Sequence, residues 1–326
     1  MLYPLVFHPI FKERVWGGRK LETLYAKTLP PKRPIGESWE ISDRPGDISV
    51  IANGPLRGKD LHWLMENHGK ELLGTAPPAN ARFPLLIKIL DAQDILSLQV
   101  HPPAHKAPEL GGEAKTEMWY VAQADANAEL FVGLKRGIAR GHFEEKLRSG
   151  AVAECFHRLP VGSGDAMFLP SGRVHALGAG LVIFEIQQNS DTTYRVFDWN
   201  RKGLDGKPRE LHVEQALASI DFNDFEPSLL SAQARQIGPA VMVRSLVNDP
   251  LFKVELITAK AVGSMRFGPK ASFRIVGMVE GKSVVASPGH EFLELSAGNF
   301  SLIPANVETD LRLEAASQVL QIESGD

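Results

Sequence analysis

A single cysteine, Cys155, stands in 326 residues. No intrachain disulfide can form, and a reducing compartment fits. Cys155 itself reads as a buried, small apolar residue. No apolar run approaches the ~20 residues that a membrane span needs. The opening Met1–His8 has neither a basic n-region nor a small-residue cleavage site, so it does not read as a signal peptide. The expected location is therefore cytoplasmic. Neither sign of charge dominates: 36 Lys and Arg face 39 Asp and Glu, a formal net charge of -3. That balance gives no reason to expect a nucleic-acid or anionic-membrane partner. A glycine-rich phosphate loop is missing, as is any βαβ rhythm, which argues against a nucleotide-binding sheet.

What is present is ordinary globular composition, 44% hydrophobic and 23% charged, in a chain long enough for more than one domain. Pro4–His8 reads as extended. In Gly36–Asp43, Ser38, Glu40 and Ser42 alternate with Trp39 and Ile41, as in a strand, and residues 48–52 read as another. Asp60 suits a helix N-cap, Leu61, Leu64, Met65, His68, Leu72 and Leu73 share a face, and Gly74 suits the C-cap. Leu85–Leu90 is a short apolar run interrupted by Lys88. Helices are expected at 142–149 and 213–220. The composition turns polar from 221 to 239, a connection to a second domain. Strands follow at 253–258, 273–279, 292–295 and 300–303. Many short strands with few helices predict a mostly β protein built from sandwiches or barrels.

One pattern occurs twice. Gly164-Asp165-x4-Pro170-x-Gly172 is echoed by Gly298-Asn299-x4-Pro304. His175 lies eleven residues after the first glycine, and Thr309 eleven after the second. A true repeat would make the second domain a copy of the first that cannot hold a metal.

A metal is the natural reading of the first copy. Residues two apart on a strand share a face, so Gln99 points with His101, and Lys115 with Glu117. His175, after the Pro170-Ser171-Gly172 turn, approaches from a third strand. Two nitrogens and two oxygens suit Zn²⁺, with Co²⁺, Fe²⁺ or Mn²⁺ as substitutes. The remaining histidines show no comparable pattern; His105, in a proline-rich loop, is the nearest rival.

Gly-Asp-x4-Pro-x-Gly-x2-His resembles the second conserved motif of cupins. Gln99-Val100-His101-Pro102 and Lys115-Thr116-Glu117-Met118-Trp119-Tyr120 resemble signatures of the type I phosphomannose isomerases. Val15-Trp16-Gly17-Gly18, Pro84–Lys88 and Glu185–Arg195 do so too. The resemblance runs in order over residues 1 to about 222 and resembles the short bacterial form, with the large helical insertion reduced to about 58–80.

The resemblance implies a cupin-type β-sandwich or jelly-roll barrel. Residues 1–222 would be the metal-binding catalytic domain and 223–326 a cupin-like domain without ligands. It implies one zinc per chain on Gln99, His101, Glu117 and His175. The implied reaction interconverts mannose 6-phosphate and fructose 6-phosphate through a cis-enediol, so the partner is a small sugar phosphate. The implied catalytic set is Lys115, Glu185, Asp191 and Arg195, with Lys88, Arg195, Arg201 and Trp16 for substrate or phosphate. On residue type alone, Lys88 either snorkels to an edge or lines a pocket, and Glu185 is either an acid/base group or half of a structural ion pair with a neighbouring arginine. Arg201 stands six after Arg195, where longer members carry a Thr-Pro-Lys segment whose lysine grips phosphate; the local sequence here differs. An isomerase of the same fold acting on another sugar, and a non-catalytic sugar-binding cupin, are the alternatives. The chain is expected to be a monomer or a homodimer.

Overall fold

The computed structural model describes residues 2–325. The chain opens with β1 (Ile10–Gly18), α1 (Lys20–Tyr25), β2 (Ile35–Ile41) and a small hairpin, β3 (Asp43–Arg44) with β4 (Asp47–Ile48). Helix α2 (Leu61–Leu73) precedes β5 (Leu85–Ala92), β6 (Leu98–Val100), β7 (Glu117–Ala124) and β8 (Glu129–Leu134). After α3 (Arg140–Arg148) come β9 (Phe156–Pro160), β10 (Ala166–Leu169), β11 (His175–Leu177), β12 (Leu181–Gln188) and β13 (Tyr194–Phe197). Helix α4 (Val213–Ser219) is the last helix among the described residues. Then follow β14 (Ala234–Gln236), β15 (Val241–Asn248), β16 (Phe252–Ala259), β17 (Gly263–Phe267) and β18 (Arg274–Glu280). The chain finishes with β19 (Lys282–Ala286), β20 (Leu293–Ser296), β21 (Phe300–Ile303), β22 (Thr309–Leu313) and β23 (Ser317–Ser324).

The expected mostly β architecture is present as two sandwiches. In the first, a sheet ordered β1-β2-β5-β12-β7-β10 lies over one ordered β13-β6-β11-β8-β9. Trp16, Leu90, Trp119, Val132, Leu177 and Ile183 from both sheets form the core between them. In the second, β14-β15-β16-β23-β18-β21 pairs with β17-β22-β19-β20. The echo is a repeat of topology. The order β5-β12-β7-β10 returns as β16-β23-β18-β21, and β6-β11-β8-β9 as β17-β22-β19-β20.

The two sandwiches also share a core. Residues on the far face of the first sheet (Ile87, Ile89, Tyr120, Phe184) pack with Phe252, Phe273, Phe300, Leu320 and Ile322. Both faces of the first sheet are therefore covered, which is why all seven residues of β2 are buried, Glu37, Ser38 and Glu40 included. Glu40 meets Lys27 at 2.7 Å, and Lys27 also donates to Gly298 O at 3.1 Å. The extended segment Pro4–His8 straps the two together, with Leu5 and Leu302 exchanging backbone hydrogen bonds at 2.8 Å.

Helix α2 has the expected caps. The Asp60 side chain accepts from Trp63 N at 2.7 Å, and Gly74 closes the helix at φ +63°. Its apolar face is buried except at His68, where the backbone leaves helical geometry. The expected strand over 48–52 is broken: β4 stops at Ile48, and Val50 and Ile51 make isolated bridges to Asp60 and Phe7. Helix α3 starts two residues before its expected position, and α4 falls where expected.

Candidate functional site

Strand register assembles two rows of side chains that face each other inside the first sandwich. Across β2-β5-β12-β7 the pairs Trp39↔Lys88, Lys88↔Glu185 and Glu185↔Trp119 make one row. Across β13-β6-β11 the pairs Arg195↔Gln99 and Gln99↔His175 make the other. Glu37 and Glu117, two residues from the row tryptophans, point the same way as they do.

The expected ligands converge. One ligand atom from each of His101, Glu117 and His175 lies within 4.8 Å of the others, and all three residues are buried. His175 Nε2 lies 3.2 Å from Glu117 Oε1, and His101 Nε2 lies 3.5 Å from Glu117 Oε2. These approaches are close but badly aimed for hydrogen bonding: His101 Nε2 and both Glu117 oxygens are buried without a hydrogen-bond partner. Buried polar atoms left in that state cost stability unless something else satisfies them. Each imidazole meets a backbone carbonyl through Nδ1, His101 to Thr192 O at 2.8 Å and His175 to Arg173 O at 3.0 Å. With Nδ1–H donating there, the Nε2 lone pairs are directed inward. Burial and the Lys115 charge push His101 down to about 3, so its ring is neutral and able to ligate. Lys115 and His101 outweigh burial and hold Glu117 well below the usual carboxylate range. The Gln99 amide touches His175 Nε2 at 3.2 Å through Nε2; a half-turn of the amide presents Oε1 instead. The donor set fits a divalent cation of zinc's character.

The Pro170-Ser171-Gly172 turn holds the ligand segments in place. Gly172 sits at φ +96°, a conformation that favours glycine, and donates to His101 O at 2.8 Å. Ser171 Oγ accepts from Lys115 N at 3.0 Å.

Over this cluster opens a cavity of about 580 Å³, with Gln99 and Lys115 in its wall. Lys88, Glu185, Asp191, Arg195 and Trp16 line it as the resemblance implies. Lys88 does not snorkel to an edge. It is 3% exposed, 3.2 Å from Glu185 and 5.0 Å from the centre of the Trp39 ring. The partner of Glu185 is thus this lysine, not an arginine. Trp119 Nε1 donates to its other oxygen at 3.0 Å. The carboxylates of Glu185 and Glu37 outweigh burial and raise Lys88 above its ordinary value. Lys115 approaches Glu117 at 3.4 Å.

Arg201 is placed elsewhere. Its guanidinium is held by Asp198, by Ile95 O and by Asp94, away from the cavity lining. Through Asp198 and Ile95 O, Arg201 braces the loop after β13. Arg209 lines the cavity instead.

Five charged lining residues, Glu13, Arg14, Glu37, Asp205 and Arg209, were not singled out in the sequence. Arg14 lies two before Trp16 and Glu37 two before Trp39, so extending the alternation from either tryptophan would have found both. Glu37 accepts from Arg14 Nε at 2.7 Å and from Trp39 Nε1 at 2.6 Å. Burial alone would raise Glu37, but the charges of Arg14 and Lys88 prevail and bring it down to about 2. Gly36 allows this wall to close, since a Cβ there would lie 2.6 Å from Arg14 Cβ and from the Trp16 ring. No sequence signal marked Arg209, which sits in an irregular loop.

The model of the phosphomannose isomerase type I catalytic domain matches residues 5–137. Mannose-6-phosphate isomerase of Streptococcus mutans is 34% identical over 313 residues, 95% of each chain. Mannose-6-phosphate isomerase ManA of Bacillus subtilis is 35% identical over 314 residues, 92% of this chain and 93% of that one. The crystal structure of the mannose 6-phosphate isomerase from Bacillus subtilis superposes with a TM-score of 0.89 at 30% identity, covering 98% of this chain and 99% of that chain. With the buried His-Glu-His cluster at the foot of a charged cavity, these similarities place the chain in the type I phosphomannose isomerase family.

Proposed function

We propose that the chain is a metal-dependent aldose–ketose isomerase that interconverts mannose 6-phosphate and fructose 6-phosphate through a cis-enediol. The observation that carries this reading is the buried His101–Glu117–His175 cluster, in which His101 Nε2 and both Glu117 oxygens lack hydrogen-bond partners, beneath a cavity lined by paired acids and bases. The names of the relatives supply the substrate class. Gln99, His101, Glu117 and His175 would hold one Zn²⁺ per chain, with Co²⁺, Fe²⁺ or Mn²⁺ matched to the same donors. When bound, the ion supplies a Lewis acid for the sugar's C1 and C2 oxygens.

The chain's own residues do the rest. The Glu185 carboxylate, steadied by Lys88 and Trp119, takes the proton from C2 of the aldose and returns it to C1. Lys115, tied to Glu117, sets a positive charge against the developing oxyanion and passes the proton between O2 and O1. Arg195 receives the phosphate, and Asp191 and Trp16 shape the wall. In this division of labour residues 1–222 carry the chemistry, while 223–326 cover the outer face of the first sheet.

The test combines metal analysis with an isomerase assay. The purified protein is expected to hold about one zinc per chain, and chelation to abolish isomerisation of mannose 6-phosphate and lower the melting temperature. Zn²⁺ or Co²⁺ should restore both. The His101→Ala variant should lose the metal. Full occupancy in that variant, or activity that survives stringent metal removal, would sink the assignment.

A further inference from the structure

The turn that presents His175 is fastened more heavily than its copy in the second sandwich. Pro170-Ser171-Gly172 precedes His175, and Pro304-Ala305-Asn306 stands in the same relation to Thr309. Both turns close with the same bond, Arg173 N to Pro170 O at 3.1 Å and Val307 N to Pro304 O at 3.4 Å. Both place a left-handed residue at the same point, Gly172 at φ +96° and Asn306 at φ +60°. The next position differs in kind. Where the second copy has Val307, the first has Arg173. Its guanidinium makes a two-point pair with Asp224, Nε to Oδ2 and Nη2 to Oδ1, each at 2.8 Å. Nη1 donates to Phe168 O at 2.7 Å, back across the turn. The second copy forms its turn with a valine at this point, so the clamp serves something other than the turn itself.

What the clamp fixes is the Arg173 backbone. His175 Nδ1 meets Arg173 O at 3.0 Å, and that contact sets the direction in which the ring presents Nε2. An arginine fork on a carboxylate fixes orientation as well as distance. Both side chains are mostly buried, so screening by water and salt weakens the pair little. With the side chain held at three points, the Arg173 carbonyl has little freedom to swing away from the imidazole.

Asp224 is seated on the strand beside His175. Asp224 O accepts from Leu134 N at 2.9 Å, and Leu134 O accepts from Glu226 N at 2.9 Å. Phe225 bridges Leu134 in parallel. Residues 224–226 thus lie along β8, which pairs with β11 through Val132↔His175. Gly133, at φ +67°, lets Pro227 close on this seat, since a Cβ there would lie 2.5 Å from Pro227 Cδ. Asp221 N donates to Gly172 O at 2.9 Å. The polar segment expected to be a plain connection between domains therefore begins as a frame around the metal turn.

We propose that Asp224 is a positioning residue for the metal ligand His175, acting through the Arg173 side chain. It lies beyond residue 222, so the first stretch of the connection works with the site. This inference rests on the metal-dependent reading given above.

Zinc dissociation constants, measured on the full chain by competition with a chromophoric chelator, test it together with the visible spectrum of the Co²⁺-loaded protein. Asp224→Ala should weaken zinc by about 10- to 100-fold, the usual effect of removing a group that orients a ligand, and should alter the cobalt bands. Arg173→Ala should do the same. The double variant should lose no more than the worse single one, because the two residues act as a unit. Asp224→Asn keeps the shape without the charge and should fall in between; it decides the matter where Asp224→Ala does not fold. Arg274→Ala, remote in the second sandwich, should lower stability and leave zinc affinity unchanged. Wild type that binds no divalent cation would overturn the functional reading itself. Zinc-binding wild type, with zinc affinity and cobalt spectrum unchanged in the Asp224 variants, would overturn this inference alone and leave the clamp a purely structural role.

Discussion

At the scale of single residues, the site is a set of buried charges that survive because each has a partner within reach. Glu37 is the sharpest case. In the folded chain it ionises at about 2, against an ordinary value of 4.5. A carboxyl lowered by folding contributes stability above its unfolded value and loses it as pH falls toward the folded one. Glu37 should therefore contribute on the order of 3 kcal/mol near neutrality, lost between about pH 4.5 and about pH 2. Denaturant melts of wild type and Glu37→Gln over that range check this. The variant's stability should fall less steeply with acid, and parallel curves would refute the assignment.

Legibility at this scale followed backbone regularity. Gln99, His101, Glu117 and His175 stand in or beside strands, where spacing of two fixes a common face. Their convergence was readable before any coordinates, and the same rule reaches Arg14 and Glu37. Lys88 was ambiguous, because an apolar run does not reveal whether its lysine has a buried carboxylate opposite; register with Glu185 supplied one. Arg201 and Arg209 lie in an irregular loop with no period to count. Which of them faces the cavity was decided by Asp198, packed between the two.

At the scale of elements, the repeat explains why, among the described residues, one half of the chain offers a candidate metal cluster and the other does not. His175 and Thr309 each open the strand that follows their proline turn. Glu117 is the register partner of Leu169, and Arg274 that of Ile303, the equivalent residue. Gln99 pairs with His175 where Phe267 pairs with Thr309. The ligand positions of the second sandwich thus hold Phe267, Arg274 and Thr309, which cannot form a metal site. Arg274 lies over the Phe267 ring at 4.2 Å and meets Glu323 at 3.1 Å, with Lys270 on the other Glu323 oxygen. A guanidinium stands where the first copy has the Glu117 carboxylate. Arg274→Ala removes one partner of a buried pair and should cost about 3–5 kcal/mol, read from chemical denaturation. Metal content should match that of wild type; a drop in metal with unchanged stability would contradict this account.

At the scale of the whole molecule, the shared core makes the two sandwiches mutually dependent. The face of the first sheet that carries Ile87, Ile89, Tyr120 and Phe184 is covered by Phe252, Phe273, Phe300 and Ile322. Tyr120 also donates to Gln318 at 2.9 Å, and Arg244 to Gly164 O at 2.6 Å. A chain ending at residue 222 would expose that face as one apolar patch. It should be insoluble, or lack a cooperative melt, even though every proposed ligand is present. Expression of 1–222, followed by size exclusion and thermal melting, decides the matter. A soluble fragment that melts like the full chain would show the second sandwich to be dispensable. Among the described residues no helix is long and apolar enough to cross a membrane.

The sequence by itself determined the mostly β class, the capped helix α2, the repeat and the identity of the metal-ligand candidates. These are local or periodic properties: alternation along a strand, cap chemistry, a glycine–proline turn spaced from a histidine. Only the tertiary structure decided how Lys88 is paired, which arginine faces the cavity, and that the two sandwiches share a core. Each depends on which strand lies beside which, and on the space between sheets, which no spacing along the chain encodes.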